Sequence, residues 1–134
     1  MNRFHLPVSL RAEKRCEYCH APERFSNFAF EVEHILPPLS GGTTHLDNLA
    51  LACRSCNVFK SRFVTGVDAN GDEAGRLFNP RTDVWDEHFQ IDPKTFAIKG
   101  LSDIGRGTII RLRINSEMQV NARRLWRISE DIIE

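Results

Sequence analysis

Two C-x-x-C pairs constrain this chain more than any other feature: Cys16 with Cys19, and Cys53 with Cys56. They account for all four cysteines. Two such pairs supply the four sulfurs of a tetrahedral Zn²⁺ site. One ion held by both would close the 33 residues between them, 20–52, into a loop. The stretch MNRFHLPVSL has no charged region followed by a long apolar run, so no signal peptide is expected. A cytoplasmic location is then the default, and a disulfide framework is disfavoured. A redox-active C-x-x-C is the alternative, but that motif normally comes singly on a βαβ unit.

A length of 134 residues allows one ordinary domain or two small modules sharing a core. No window approaches the roughly 20 apolar residues that a membrane span needs. The formal net charge is zero, which argues mildly against a general polyanion binder. The charge is nevertheless segregated. From Arg106 to Arg127 there are six arginines and one acid, Glu117. That run reads either as a solvated helix face or as a phosphate-facing surface.

The pattern of apolar residues gives the order of elements. PVSLRAEKR (7–15) suits a short helix with Pro7 in its first turn. Residues 28–36 read as a strand, 37–48 as a loop dense in Pro, Gly, Thr and Asn, and 49–53 as a second strand. Residues 55–63 have helical spacing at Cys56, Phe59 and Phe63, with Ser55 as the expected N-cap. A turn-rich connection covers 65–80. Its DANGDE lacks the later ligands of a calcium loop and reads as an acidic turn. EHFQI and TFAIKGL then predict a hairpin around DPK. Two helices follow from Ser102, with a break near Asn115–Ser116. SEMQ makes Ser116 an N-cap with Gln119 reaching back, and Met118, Ala122, Leu125 and Trp126 form the apolar face. The fold class is α+β, with residues 1–64 as a zinc-braced module and 65–134 as a hairpin and helical extension packed on it.

Between the cysteine pairs lies an ordered set of polar residues. Glu33-His34 ends the first strand in FEVEHILPP, Asn48 ends the loop, Asn57 directly follows the last cysteine, and Lys60 lies one helical turn beyond. The full pattern is C-x-x-C, Glu-His-Ile-x-Pro, Gly-Gly, then Asp-Asn-Leu-x-Leu-x-Cys-x-x-Cys-Asn-x-x-Lys, over roughly residues 11–62. It resembles the HNH endonuclease family, and so many ordered positions make the match specific. The resemblance implies a ββα-metal fold that hydrolyses DNA phosphodiester bonds. It implies that His34 is the general base, a task that suits an imidazole with its ordinary pKa of about 6.5. It also implies that Glu33 and Asn57 hold one Mg²⁺ or Mn²⁺, and that Asn48 braces the loop carrying His34. The cysteines would bind a structural Zn²⁺, and Lys60, Arg54 and Arg62 are the candidate contacts to nucleic acid. Where many relatives have Asp and His, this chain has Glu33 and Asn57.

One geometric demand follows. Successive residues of a regular strand point to opposite faces, so Glu33 and His34 share a site only if the strand twists or ends there. Other roles are blander. His20 follows Cys19 but would be a fifth ligand to a filled site. Trp85, Phe89 and Trp126 read as core. Arg81 and the later arginines are possible contacts to DNA backbone. A single site would nick one strand, and a dimer or paired events would cut both. Whether the chain is a monomer or a dimer is open. The alternative is a zinc-stabilised module that holds nucleic acid without cutting it.

Overall fold

A computed structural model describes residues 2–133. Helix α1 spans His5–Arg11, and Pro7 sits in its first turn as expected. The first knuckle follows, closed by a bridge between Arg15 and Pro22. Strands β1 (Glu31–His34) and β2 (Leu49–Ala52) pair antiparallel, with Glu33 opposite Ala50 and His34 opposite Leu49. Helix α2 (Arg54–Lys60) comes next. The order β1–β2–α2 gives the expected ββα arrangement, with an α+β fold around it. The two strands differ in burial. All four β2 residues are buried, whereas β1 is partly open and its outer edge pairs with no other strand among the described residues. The helix start differs from expectation by two residues. Cys53, not Ser55, is the N-cap, because its sulfur accepts from the Cys56 amide at 3.4 Å.

The connection 65–80 is more ordered than its composition suggested. It forms a hairpin of β3 (Thr65–Val67) and β4 (Glu73–Arg76). Asp68 turns it, accepting from the amides of Asn70 and Asp72, so DANGDE is an ordinary turn. After a short helix α3 (Trp85–His88), β5 (Phe89–Ile91) and β6 (Ile98–Gly100) make the expected second hairpin. Helix α4 (Asp103–Leu112) is capped by Ser102, and α5 (Glu117–Ile133) runs to the end of the described chain. Helix α4 lies close against β3 because glycines face each other there: a Cβ on Gly66 would stand 2.8 Å from the Gly107 backbone. One apolar core runs through both halves of the chain. Leu77, Phe78, Phe89, Ile98, Leu112 and Ile114 join Val8, Tyr18, Phe30 and the β2 residues. Among the described residues no helix is long and apolar enough to cross a membrane.

Two expectations about the C-terminal half need correction. The inward face of α5 is not Met118, Ala122 and Leu125, which are exposed. Arg123, Trp126 and Glu130 face inward instead, because the surface beneath is polar: Arg15 pairs with Glu130 and lies over the Trp126 ring. Ser116 does cap α5, with the Gln119 amide 3.3 Å from its hydroxyl, but the Gln119 side chain turns toward Cys56 and does not reach back. The tail arginines are also largely committed within the fold. Arg111 stacks on Phe63 and donates to the Thr65 carbonyl, and Arg113 stacks on Phe59. Arg81 donates to Glu17 and to the Leu49 carbonyl. These contacts fasten the extension to the ββα module, while Arg106, Arg113 and Arg124 of the run are exposed.

Candidate functional site

The four cysteines converge from the two knuckles. Their sulfurs all lie within 4.8 Å of one another, and all four residues are buried. In each pair the first sulfur accepts an amide from the second residue, Cys19 N–H to Cys16 at 3.5 Å and Cys56 N–H to Cys53 at 3.4 Å. Burial and the neighbouring thiols push the Cys16 thiol up, and its neighbours push Cys56 up as well. Hydrogen bonds from those same neighbours pull Cys53 down. Four closely packed thiols therefore resist ionising together. A divalent cation removes that conflict by binding all four as thiolates.

The surroundings fit such an ion. Arg123 is only 1% exposed, and its Nε is the one buried polar side-chain atom without a partner among the described residues. Burial lowers its pKa, and the four cysteines pull it back up. A buried guanidinium beside four sulfurs is the counter-charge that a dianionic tetrathiolate–Zn²⁺ centre needs. Gln119 adds a donor 3.9 Å from the Cys56 sulfur. His20 takes no part in the cluster. It stacks on Trp85 at 3.8 Å, and burial and Arg15 depress its pKa to about 4.

Asn48 sits where β2 begins and ties the loop to β1. Its carbonyl oxygen accepts the Leu36 amide at 2.9 Å, and its amide donates to the carbonyls of Leu36 and Thr43 at 2.9 and 2.8 Å. The loop passes so close that a Cβ on Gly42 would overlap the Leu36 carbonyl and stand 2.9 Å from the Asn48 amide nitrogen. Gly42→Ala is therefore expected to lower stability by about 1–3 kcal/mol. Urea unfolding beside an exposed control, Ser40→Ala, would check this. Equal losses in the two variants would remove the steric reading.

The strand stays regular at Glu33–His34, contrary to the geometric expectation. Pairing continues through His34, and the Ile35 amide still donates to the Asn48 carbonyl. The two side chains therefore have different partners. Glu33 is 6% exposed, accepts from the Tyr18 hydroxyl and pairs with Lys60 at 2.9 Å. Burial raises its pKa against the pull of Lys60. The His34 Nε2 lies 3.0 Å from the Thr44 hydroxyl. The two residues still border one space. A cleft of about 250 Å³ at the end of β1 is lined by Glu33, His34, Asn57, Pro37, Ser61 and Arg62, among others. The strand ends at His34, and the cleft at that end touches both residues.

The resemblance implies that Lys60 meets either phosphate or the metal-site acid Glu33, and the structure places it on the acid. It is 1% exposed, donates to the His34 and Ile35 carbonyls at 3.1 Å each, and neutralises Glu33. An ammonium buried beneath the strand end is not a surface contact for nucleic acid. Arg54 and Arg62 are both exposed, at opposite ends of α2.

A profile of the HNH endonuclease family matches residues 16–63, from the first cysteine of the cluster to just past α2. Residues 16–63 are therefore similar to an HNH endonuclease domain. No curated protein and no solved structure matches the chain. The HNH domain holds all four cysteines, both strands of the ββ unit and the cleft that they border. It ties the chain to nuclease-type or nucleic-acid-related chemistry. Two features of the HNH segment could not be read from residue spacing, the Tyr18–Glu33–Lys60 cluster and the Thr44 contact to His34. Lys60 had one signal, since a lysine one turn beyond Cys56 shares the inward face of α2.

Proposed function

We propose that this chain is a metal-dependent HNH endonuclease that hydrolyses DNA phosphodiester bonds, cutting one strand per site. The observation that supports this most is the cleft at the end of β1, which Glu33, His34 and Asn57 line together. In this reading His34 takes a proton from the attacking water, and Thr44 and the loop braced by Asn48 hold its ring in place. Glu33 and Asn57 offer the oxygen donors that suit Mg²⁺ or Mn²⁺. When bound there, the cation supplies charge stabilisation at the scissile phosphate and the leaving oxygen. Lys60 must then release the Glu33 carboxylate, since a second cation beside its ammonium is opposed by repulsion. Arg62, on the cleft rim, would meet the DNA backbone and position it. The cysteine cluster holds structural Zn²⁺ and fixes α2, which carries Asn57, against the first knuckle.

The Glu33–Lys60 pair also favours a second reading, in which the HNH domain binds DNA without cutting it. Nicking of supercoiled plasmid separates the two. With Mg²⁺ or Mn²⁺ the wild-type protein is expected to nick, and His34→Ala to slow nicking by about 10²–10⁴-fold. DNA binding without nicking under any divalent cation would favour the binding module. Equal rates for His34→Ala and wild type would remove His34 as the base.

A further inference from the structure

A second cleft lies at the other end of β1. It measures about 540 Å³ and is lined by Ser26, Asn27, Phe28, Phe30, Glu31 and Arg54. The Phe28 ring is 74% exposed on its wall, although a phenylalanine gains most by leaving water. The two clefts border the same strand and the same helix. The second cleft touches Glu31 at the start of β1 and Arg54 at the start of α2, and the first touches Glu33 and His34 at the end of β1, Asn57 on α2 and Ser61 just beyond it. Three strand steps separate Glu31 from His34, roughly 10 Å. Arg54 to Ser61 on the helix covers about the same distance. At the roughly 3.4 Å rise of a stacked strand that is at most about three nucleotide steps, and fewer for an extended single strand.

We infer that Phe28 and Arg54 form a subsite for one unpaired nucleobase of a DNA strand whose cut phosphate lies at the His34 cleft. The inference rests on the endonuclease reading and names its substrate class: single-stranded or locally strand-separated DNA. Bases within a duplex stack on each other and offer no free face, whereas an unpaired base can lie on an exposed ring. Arg54 supplies the cation that such a base brings its phosphate toward, and Arg62 supplies the one at the far cleft. Glu31 is the acid on the Phe28 cleft, and it disfavours a second phosphate beside the base, so the base and not the backbone fills the cavity.

The test measures binding apart from cleavage. Fluorescence anisotropy with Ca²⁺ in place of Mg²⁺ would compare a labelled single-stranded oligonucleotide with the same sequence as blunt duplex. Phe28→Ser is expected to weaken single-strand binding about ten- to a hundredfold, with little change for duplex. Phe28→Tyr should restore it. A 2-aminopurine placed within about three nucleotides of the cut is expected to change its fluorescence on binding wild type, as it leaves its neighbouring bases, and to keep its free-strand value with Phe28→Ser. Equal single-strand affinity for wild type and Phe28→Ser would overturn the subsite. If wild type also nicks duplex plasmid in that case, the endonuclease reading stands without the subsite. If wild type binds neither DNA, both fall.

Discussion

Stripping the metal from the cysteine cluster is expected to abolish cooperative folding of the HNH domain. Structural Zn²⁺ contributes an apparent 10–16 kcal/mol in zinc-finger peptides. The net stability of a whole domain is only about 5–15 kcal/mol. The metal contribution would therefore match or exceed the whole net stability of such a domain. Its position increases the effect. Cys16 and Cys19 precede the ββ unit and Cys53 and Cys56 follow it, so one ion held by all four would close residues 20–52 and set the start of α2. Without it, four buried thiols and the Arg123 guanidinium remain with no common counter-ion. Chelation followed by thermal melting, with bound metal measured alongside, would test this. The single variant Cys53→Ser should behave likewise, losing a ligand and changing the cap of α2 together. A chelated protein with an unchanged melting transition would show that the apolar core alone carries the fold. The β1 cleft should lose its shape with the metal, so nicking activity is expected to fall in step with bound Zn²⁺.

What the sequence makes legible follows from which forces are local. The knuckles, both strands, α2 and the β5–β6 hairpin are encoded by short-range spacing and turn residues, and each is found within a few residues of its expected place. The β3–β4 hairpin was hidden because TGV and EAGR are short and poor in apolar residues, and α4 rather than their own pattern holds them in place. Helix α5 misleads for a related reason. Its stripe of Met118, Ala122 and Leu125 looks like a core face, yet the helix packs through Arg123, Trp126 and Glu130. Hydrophobic periodicity finds the core only when the surface beneath is apolar, and here that surface is a cysteine cluster and an arginine. In the β1 cleft, the set of residues was legible and their partners were not. The family resemblance pointed to His34, Asn48 and Asn57; in the fold His34 and Asn57 line one cleft and Asn48 ties the loop beside it. That Lys60 would be buried under Glu33 depends on the depth of α2 against β1, which a linear pattern does not record.

That buried pair carries the second large effect. Lys60→Met keeps the length of the side chain and removes its charge. The Glu33 carboxylate would then face Tyr18 alone, and the His34 and Ile35 carbonyls would lose their donor. Breaking one side of a buried pair destabilises by about 3–5 kcal/mol, well above the effect of an exposed ion pair. The loss should depend on pH with a definite sign. Burial already holds the Glu33 pKa above its ordinary value, and Lys60 opposes that shift. Removing Lys60 raises it further, so the folded state binds a proton that the unfolded state has released. Stability of the variant then falls as pH rises from the ordinary carboxylate range toward the folded-state pKa. Below that range Glu33 is protonated in both states and the charge penalty vanishes. Urea unfolding of Lys60→Met at neutral pH and near pH 4.5 is expected to show the larger deficit at neutral pH. Glu33→Gln in the same background should recover part of it. The variant also probes the cation. With the ammonium gone, Mg²⁺ or Mn²⁺ becomes the available counter-charge for Glu33, and either ion should raise the melting temperature of Lys60→Met more than that of wild type. If Lys60→Met is as stable as wild type at both pH values, the pair contributes nothing to the fold. If the ions protect both proteins equally, Lys60 does not compete with the cation for Glu33.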